Sequence, residues 1–359
     1  MSKNTAINDI SQEPVDKWQQ FRLKSKIDLT KRDPVPPVCL SIIEGDKTSI
    51  VGTLGNISLI LGMAKARKSY VVSSIAAAFL TGKEFLNFTG SLPEGKNKVI
   101  YADTEQGNYH TRKIFERILR MAGLPVDKET ERIEFLRLRS FGHTDIADFL
   151  EHTIYNTDNV GVLIIDGVRD MVKDINSSEE GSKIARLLMR WSDERQIHIL
   201  TVLHQNKGDG NARGHIGSEF SNKAESIIKV EKNNTEKEKS IISSHMLRDV
   251  DFEPFTFTID ENDFPAVIEN SSYYSLKKSD PKVHDDDFHK NVLSIIFKIN
   301  GSEFSKREFN IKLRAELPDK FSISEKLARN WIAYYEEKGF IKNSGSEKSA
   351  KLISNLVYE

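Results

Sequence analysis

The stretch Leu59–Phe79, LILGMAKARKSYVVSSIAAAF, decides how the chain is read. It sits in a continuous apolar run, ISLILG, that stops at Gly62, and from Lys68 an alanine-rich segment continues to Gly82. The first pattern is that of a buried strand and the second that of a core helix. Between them, Gly62, Lys68 and Ser69 fall on the phosphate-loop pattern G-x-x-x-x-G-K-[ST], with Arg67 in place of its second glycine. In such a loop the backbone N–H groups of Gly62, Met63, Ala64, Lys65, Ala66 and Arg67, and those of Lys68, Ser69 and Tyr70 at the helix N-terminus, face phosphate oxygens. Lys68 neutralises β/γ-phosphate charge and the Ser69 hydroxyl can hold Mg²⁺. Glycine at position 67 would turn without a Cβ. Arg67 therefore either takes ordinary right-handed geometry on entry to the helix or distorts the loop. An added cation beside a triphosphate is not repulsive. Taken alone, the segment is also compatible with a plain turn before a core helix.

Further strands lie on either side of this point. KVIYAD, IEFLRL, VGVLIID and IHILTVLH are short apolar runs, with helical patterns at Asn108–Met121, Asp145–Tyr155 and Lys183–Arg195. Apolar strands alternating with helices indicate a mainly parallel sheet buried on both faces. SIIKVEK, KSIISSHML and FTFTI follow with short gaps, so the sheet is expected to end in antiparallel strands. The organisation expected is an arm and proline-stiffened connector over 1–40, an α/β domain over 41–269, a polar linker over 270–287 and a small domain over 288–359. In the last, helices are expected at Phe288–Phe297, Ser305–Leu317 and Ile323–Lys338, and a two-stranded wing after Gly339.

The 359 residues carry 52 basic and 53 acidic side chains, so any nucleic-acid contact must come from local patches rather than a global field. Cys39 is the single cysteine, which excludes an intrachain disulfide and suits a reducing compartment. The N-terminal residues lack the apolar core of a signal peptide, and no apolar run approaches membrane-spanning length. The expectation is a cytoplasmic protein with no membrane partner.

Two strand ends add chemistry. KVIYADTEQ ends in Asp103 and Glu105, and VGVLIIDGVRD ends in Asp166, a Walker B pattern in which the aspartate organises Mg²⁺. The strand IHILTVLHQ ends at His204 and Gln205. Each feature alone is common; their order behind a phosphate loop is not. At this point the chain resembles the RecA-type ATPase core, and more narrowly it is similar to the RepA-like and DnaB-like hexameric ATPases and to RecA-fold ATPases of bacterial plasmids and mobile elements. The resemblance covers about Val51 to Ile259, and members of the last group carry K-[SA]-R-K-[ST], as Arg67 does here.

The resemblance implies ATP and Mg²⁺ as cofactors, with Lys68 and Ser69 on phosphate and metal and Asp166 as the Walker B acid. Glu105 matches the glutamate that polarises the attacking water, with Asp103 as its rival. Gln205, or else His204, would sense the γ-phosphate. Arg248, in SSHMLRDVDF, stands where DnaB-type helicases place an arginine finger, although Met246 replaces the lysine usual two positions earlier; a solvated arginine is the alternative. The family also implies a homo-oligomer, as a ring, and DNA as partner. The loops after the Walker B and sensor strands offer Arg169, Lys173, Lys207 and Arg213, without an aromatic platform.

The C-terminal segment has the pattern of a winged helix. Ile323, Leu327, Trp331 and Tyr335 form a core face, leaving Lys326, Arg329 and Asn330 on the other side as a recognition helix would present them. Protein docking is the competing use. The reading is an α/β RecA-like ATPase acting on DNA, a replication or mobilisation factor or helicase. A non-translocating nucleotide-switched regulator and an inactive scaffold are the alternatives.

Overall fold

The computed structural model of the protein describes residues 16–206, 212–233, 236–268, 281–284, 286–300, 303–317, 325–344 and 351–355. The chain divides into two units, 1–36 and 37–359. In the first, helix α1 (Lys17–Ser25) leaves Trp18 and Phe21 largely exposed, in edge-to-face contact with each other.

The second unit begins with β1 (Val38–Glu44) and β2 (Lys47–Thr53), an antiparallel pair. The strand thus starts inside the stretch that the sequence suggested as connector, because Cys39 and Leu40 are buried in the core. With β4 (Glu84–Phe85) and β5 (Phe88–Gly90) they make a four-stranded sheet ordered β2-β1-β5-β4. The main sheet follows: β3 (Ile57–Gly62), β6 (Lys98–Asp103), β7 (Ile133–Arg137), β8 (Val160–Asp166), β9 (His198–His204), β10 (Ser226–Lys232), β11 (Ser240–Leu247), β12 (Phe255–Ile259) and β13 (Pro265–Ile268). Its order is β13-β12-β11-β10-β3-β9-β8-β6-β7. The six strands from β10 to β7 are parallel, and β11, β12 and β13 join antiparallel, which is the fold class expected from the sequence.

Every residue of β3 and β8 is buried, as a strand covered on both faces requires. Successive residues supply opposite cores. Ile60, Tyr101, Ile164 and Val202 pack with α2 (Lys68–Thr81) and α3 (Asn108–Met121). Leu59, Ala102, Ile165 and Leu203 pack with α4 (His143–Asn156), α5 (Ser178–Arg195) and α6 (Gly214–Lys223) on the other face. Helix α2 stops at Gly82, whose left-handed φ of 68° lets its N–H reach the Ala78 carbonyl. No helix among the described residues is long and apolar enough to cross a membrane.

Then follow helix α7 (Asp286–Asn300), β14 (Glu303–Ser305), helices α8 (Lys306–Glu316) and α9 (Glu325–Glu337), and strands β15 (Ile341–Ser344) and β16 (Lys351–Ser354). The three strands form one sheet, β14-β16-β15, over a core containing Phe309, Trp331 and Tyr335. A reciprocal Ser305–Glu308 capping box starts α8.

At the amino end of the main sheet, the buried ring of His198 donates from Nδ1 to the Thr53 carbonyl at 3.0 Å, while its Nε2 has no hydrogen-bond partner among the described residues. Gly52 makes the space, since a Cβ there would lie 2.6 Å from the ring. Burial pushes the His198 pKa down to about 4, the Thr53 bond opposing only in part. The unfolded chain therefore binds one more proton than the folded one between about pH 6.5 and 4, and stability falls as pH drops through that window. The expected loss is on the order of 3 kcal/mol. Denaturant titrations at pH 7 and pH 4.5 check it, and His198→Gln should flatten this acid limb whatever it does to baseline stability.

Candidate nucleotide site

The parallel strands bring four loops to one edge of the sheet, the edge outside the carboxyl ends where such folds bind ligands. Gly62 of β3 is in register with His204 of β9, and Asp103 of β6 with Asp166 of β8. Gly62 is required by packing: a Cβ there would sit 2.2 Å from the Val230 carbonyl of β10. The loop that follows takes left-handed φ at Lys65 (65°) and at Arg67 (70°). Arg67 thus does neither of the things suggested by its sequence position. It adopts the left-handed conformation natural to glycine, at a cost of about 1–2 kcal/mol, and the loop stays closed. Nor does its guanidinium lie as a cation along the loop: it reaches the β10–β11 hairpin, donating to Ser240 Oγ at 3.0 Å and to the Lys237 carbonyl at 3.2 Å.

Left-handed residues at alternate loop positions and an α2 N-terminus with no side-chain cap form an anion-binding concavity. Met63, Ala64 and Lys65 are exposed at its rim, Ala66 is buried beneath, and Ser69 and Tyr70 are half-buried at the start of α2. Lys68 is buried, its Nζ donating to the carbonyls of Gly62 (2.9 Å) and Met63 (3.0 Å) and to His204 Nδ1 (3.1 Å). Burial lowers its pKa, while Glu105 and Asp166 act in the opposite sense. Because the ammonium has only protons to give, His204 Nδ1 must accept, so the ring proton sits on Nε2 and points at Glu105 Oε1, 3.4 Å away. For Glu105, burial pushes the pKa up but is outweighed by the His204 bond and the charges of Lys68 and Arg169. The carboxylate lies below its ordinary range.

The two rival acids separate cleanly. Asp103 is fully buried and accepts from the N–H groups of Glu105 and Gln106 and from the Thr111 hydroxyl (2.7 Å), so it shapes the loop that carries Glu105. Asp166 is buried beside it with the Tyr101 hydroxyl donating at 2.9 Å, and burial together with the Asp103 charge raises its pKa to about 7. The backbone of Gln205 pairs with Gly62 at 3.2 Å, and its side-chain carbonyl oxygen is buried without a hydrogen-bond partner among the described residues. The uncapped concavity, with the Lys68 ammonium beside it, fits a bound triphosphate. Among the described residues no three His, Cys, Asp or Glu side chains gather to hold a metal ion; the Ser69 hydroxyl and the Asp166 carboxylate are the groups that could take Mg²⁺, which keeps waters and substrate oxygens as its other ligands.

Other expected residues lie apart. Arg248 follows β11 at the opposite end of the sheet from its own loop, its N–H bonded to the Glu225 carbonyl at 3.1 Å. Arg169 pairs with Asp170 at 3.3 Å, and Lys173 and Arg213 are exposed near the carboxyl edge. Lys207 lies outside the described residues. Arg329 pairs with Glu325 on α9, Asn330 is exposed beside it, and Lys326 belongs to the same helix. The sequence reading missed Tyr101, Thr104 and Gly167. A Cβ on Gly167, whose φ is 111°, would fall 2.2 Å from Thr104 Oγ1 and 2.7 Å from Glu105 Cγ, so this glycine makes room for the Glu105 loop. Its place directly after Asp166, at the end of the apolar run VGVLIID, was the available signal.

Residues 43–210 match the family model described as AAA domain, a little under half of the chain. No curated protein sequence matches. Among solved structures the chain is similar to one described as the RadB recombinase, at 12% identity over 60% of this chain and 92% of that chain, with a TM-score of 0.43. The matched residues include the strands and the phosphate-type loop that form this edge of a mainly parallel sheet.

Because folded Asp166 holds its proton to about pH 7, the folded state binds more protons than the unfolded chain between about pH 4 and 7, and this group's contribution to stability falls as pH rises through that window. Asp166→Asn should therefore raise the melting temperature of the nucleotide-free protein at pH 8 while abolishing any Mg²⁺-dependent tightening of nucleotide binding. Thermal melts and binding titrations with Mg²⁺ or EDTA read the two effects separately.

Proposed function

We propose that the protein binds and hydrolyses ATP·Mg²⁺ and acts on DNA as an oligomer, as a RepA-like replication or mobilisation ATPase. The observation that carries this reading is the convergence of Lys68, His204, Glu105 and Asp166 at adjacent strand ends around an uncapped phosphate-type loop. Loop N–H groups and Lys68 hold the phosphates, and Ser69 and Asp166 take the metal. Bound Mg²⁺ supplies neutralisation of charge on the β- and γ-oxygens. Glu105, ionised, accepts the proton of the attacking water. His204, held between Lys68 and Glu105, fixes the orientation of that carboxylate, and the Gln205 amide faces the γ-phosphate. Arg248 from a neighbouring subunit stabilises the charge of the transition state.

DNA contact is assigned to the loops bearing Arg169, Lys173, Lys207 and Arg213 and to the 288–359 segment beyond a linker at 270–287. Its helix–strand–helix–helix–strand–strand order supports a winged helix, with α9 presenting Arg329 and Asn330. The homo-oligomer is read as a ring because Arg248 lies far from its own loop.

ATPase rates with and without single-stranded DNA test the reading. Lys68→Ala should abolish turnover, and Glu105→Gln should retain ATP binding while slowing hydrolysis by roughly 10²-fold or more. Turnover stimulated by single strands supports a motor. ATP-dependent duplex binding without turnover would replace it with a non-translocating switch, and unchanged turnover in Lys68→Ala would remove the site altogether.

A further inference from the structure

Arg67 occupies a glycine position, yet its side chain is used away from the loop. Its two hydrogen bonds end on Ser240 Oγ and the Lys237 carbonyl. Ser240 is the first residue of β11 and is fully buried. From there β11 runs the height of the sheet to Leu247, which pairs with Ser226 at the other end, and Arg248 comes next. The strand is held from both sides: β10 pairs along it, and β12 pairs with Ser240, Ile241 and Ile242. Ile241 and Ile242 are buried, and the Arg248 N–H is fixed to the Glu225 carbonyl. Beyond it the Asp249 carboxylate accepts from the Ile50 N–H at 2.8 Å. The half of β11 from Ser240 to Ser243 is buried, and beyond Ser244, where the pairing with β10 shifts register, the strand stays paired with β10 up to Leu247, so a displacement at Ser240 is passed along a paired backbone toward Arg248.

One strand therefore connects the side chain that replaces the loop's second glycine to the arginine assigned to the neighbouring subunit's site. A glycine at 67 would take the left-handed turn without strain but would hold nothing at Ser240. We propose that Arg67 is a positioning residue that ties the phosphate loop to β11 and thereby sets the placement of Arg248 toward the neighbouring subunit, so that each subunit's loop acts on the next subunit's hydrolysis. This rests on the reading of Arg248 as an arginine supplied in trans.

Subunit mixing tests it. A Glu105→Gln subunit supplies Arg248 but does not hydrolyse, and an Arg248→Ala subunit hydrolyses only with a neighbour's arginine. The reference mixture of these two should recover ATPase activity above either alone. Adding Arg67→Gly to the Glu105→Gln subunit, the one that only donates its arginine, should then cut the recovered rate by roughly tenfold or more, as expected for a misplaced catalytic cation. Ser240→Ala in the same donor removes the contact from its other end, with the loop sequence intact, and should lower the rate in the same direction. Fluorescent-ATP binding and melting curves confirm that each donor is folded and loaded. An unchanged rate with both altered donors, alongside a reduced rate when Arg67→Gly sits in the hydrolysing subunit, would overturn the proposal and confine Arg67 to its own loop. If the reference mixture itself shows no recovery, the shared site falls, and this coupling falls with it.

Discussion

The charge on Lys68 has to be met inside the protein, because burial at the end of β3 strips it of water. Two loop carbonyls and the His204 ring meet it directly, and the Glu105 carboxylate meets it through space. That requirement orders the rest. It fixes the tautomer of His204, which in turn directs a proton at Glu105 and keeps this carboxylate ionised. It also keeps three acidic groups tolerable at one edge. Asp103 is spent on backbone N–H groups, Glu105 is paired, and Asp166 retains its proton to about pH 7. A triphosphate with Mg²⁺ would exchange these internal partners for stronger ones, which is how a site of this kind stores selectivity for a ligand bearing both signs of charge.

The departure at Arg67 has a physical consequence. Left-handed geometry at a β-carbon-bearing residue is strained, and such strain persists where surrounding contacts over-determine it. Here those contacts are the two hydrogen bonds to the β10–β11 hairpin. A glycine-rich loop is held by its own backbone; this one is also held from outside, by a strand that crosses the sheet.

Much of this was legible in the sequence. The strand ISLILG and helix α3 fall where their patterns place them, because buried parallel strands need unbroken apolar runs and amphipathic helices need the 3.6-residue period. The antiparallel close of the sheet was legible from short gaps. What the sequence could not show was direction. Nothing in KARKS says that Arg67 turns to Ser240, 173 positions on, or that the ring of His204 lies between Lys68 and Glu105. Tyr101 reads as one more apolar strand residue until the register sets β6 beside Asp166. The start of β1 inside the proline connector was missed because its three residues Val38, Cys39 and Leu40 are too few to display alternation against the prolines before them.

If this edge of the sheet is an ATP·Mg²⁺ site, it must work with the loop as it stands, arginine included. Calorimetric titration of the full-length protein with ATP, once with Mg²⁺ and once with EDTA, addresses it most directly. Saturable binding of one ATP per chain, weaker when the metal is removed, is the expected result. Absence of binding under both conditions, in protein that melts cooperatively, would contradict it.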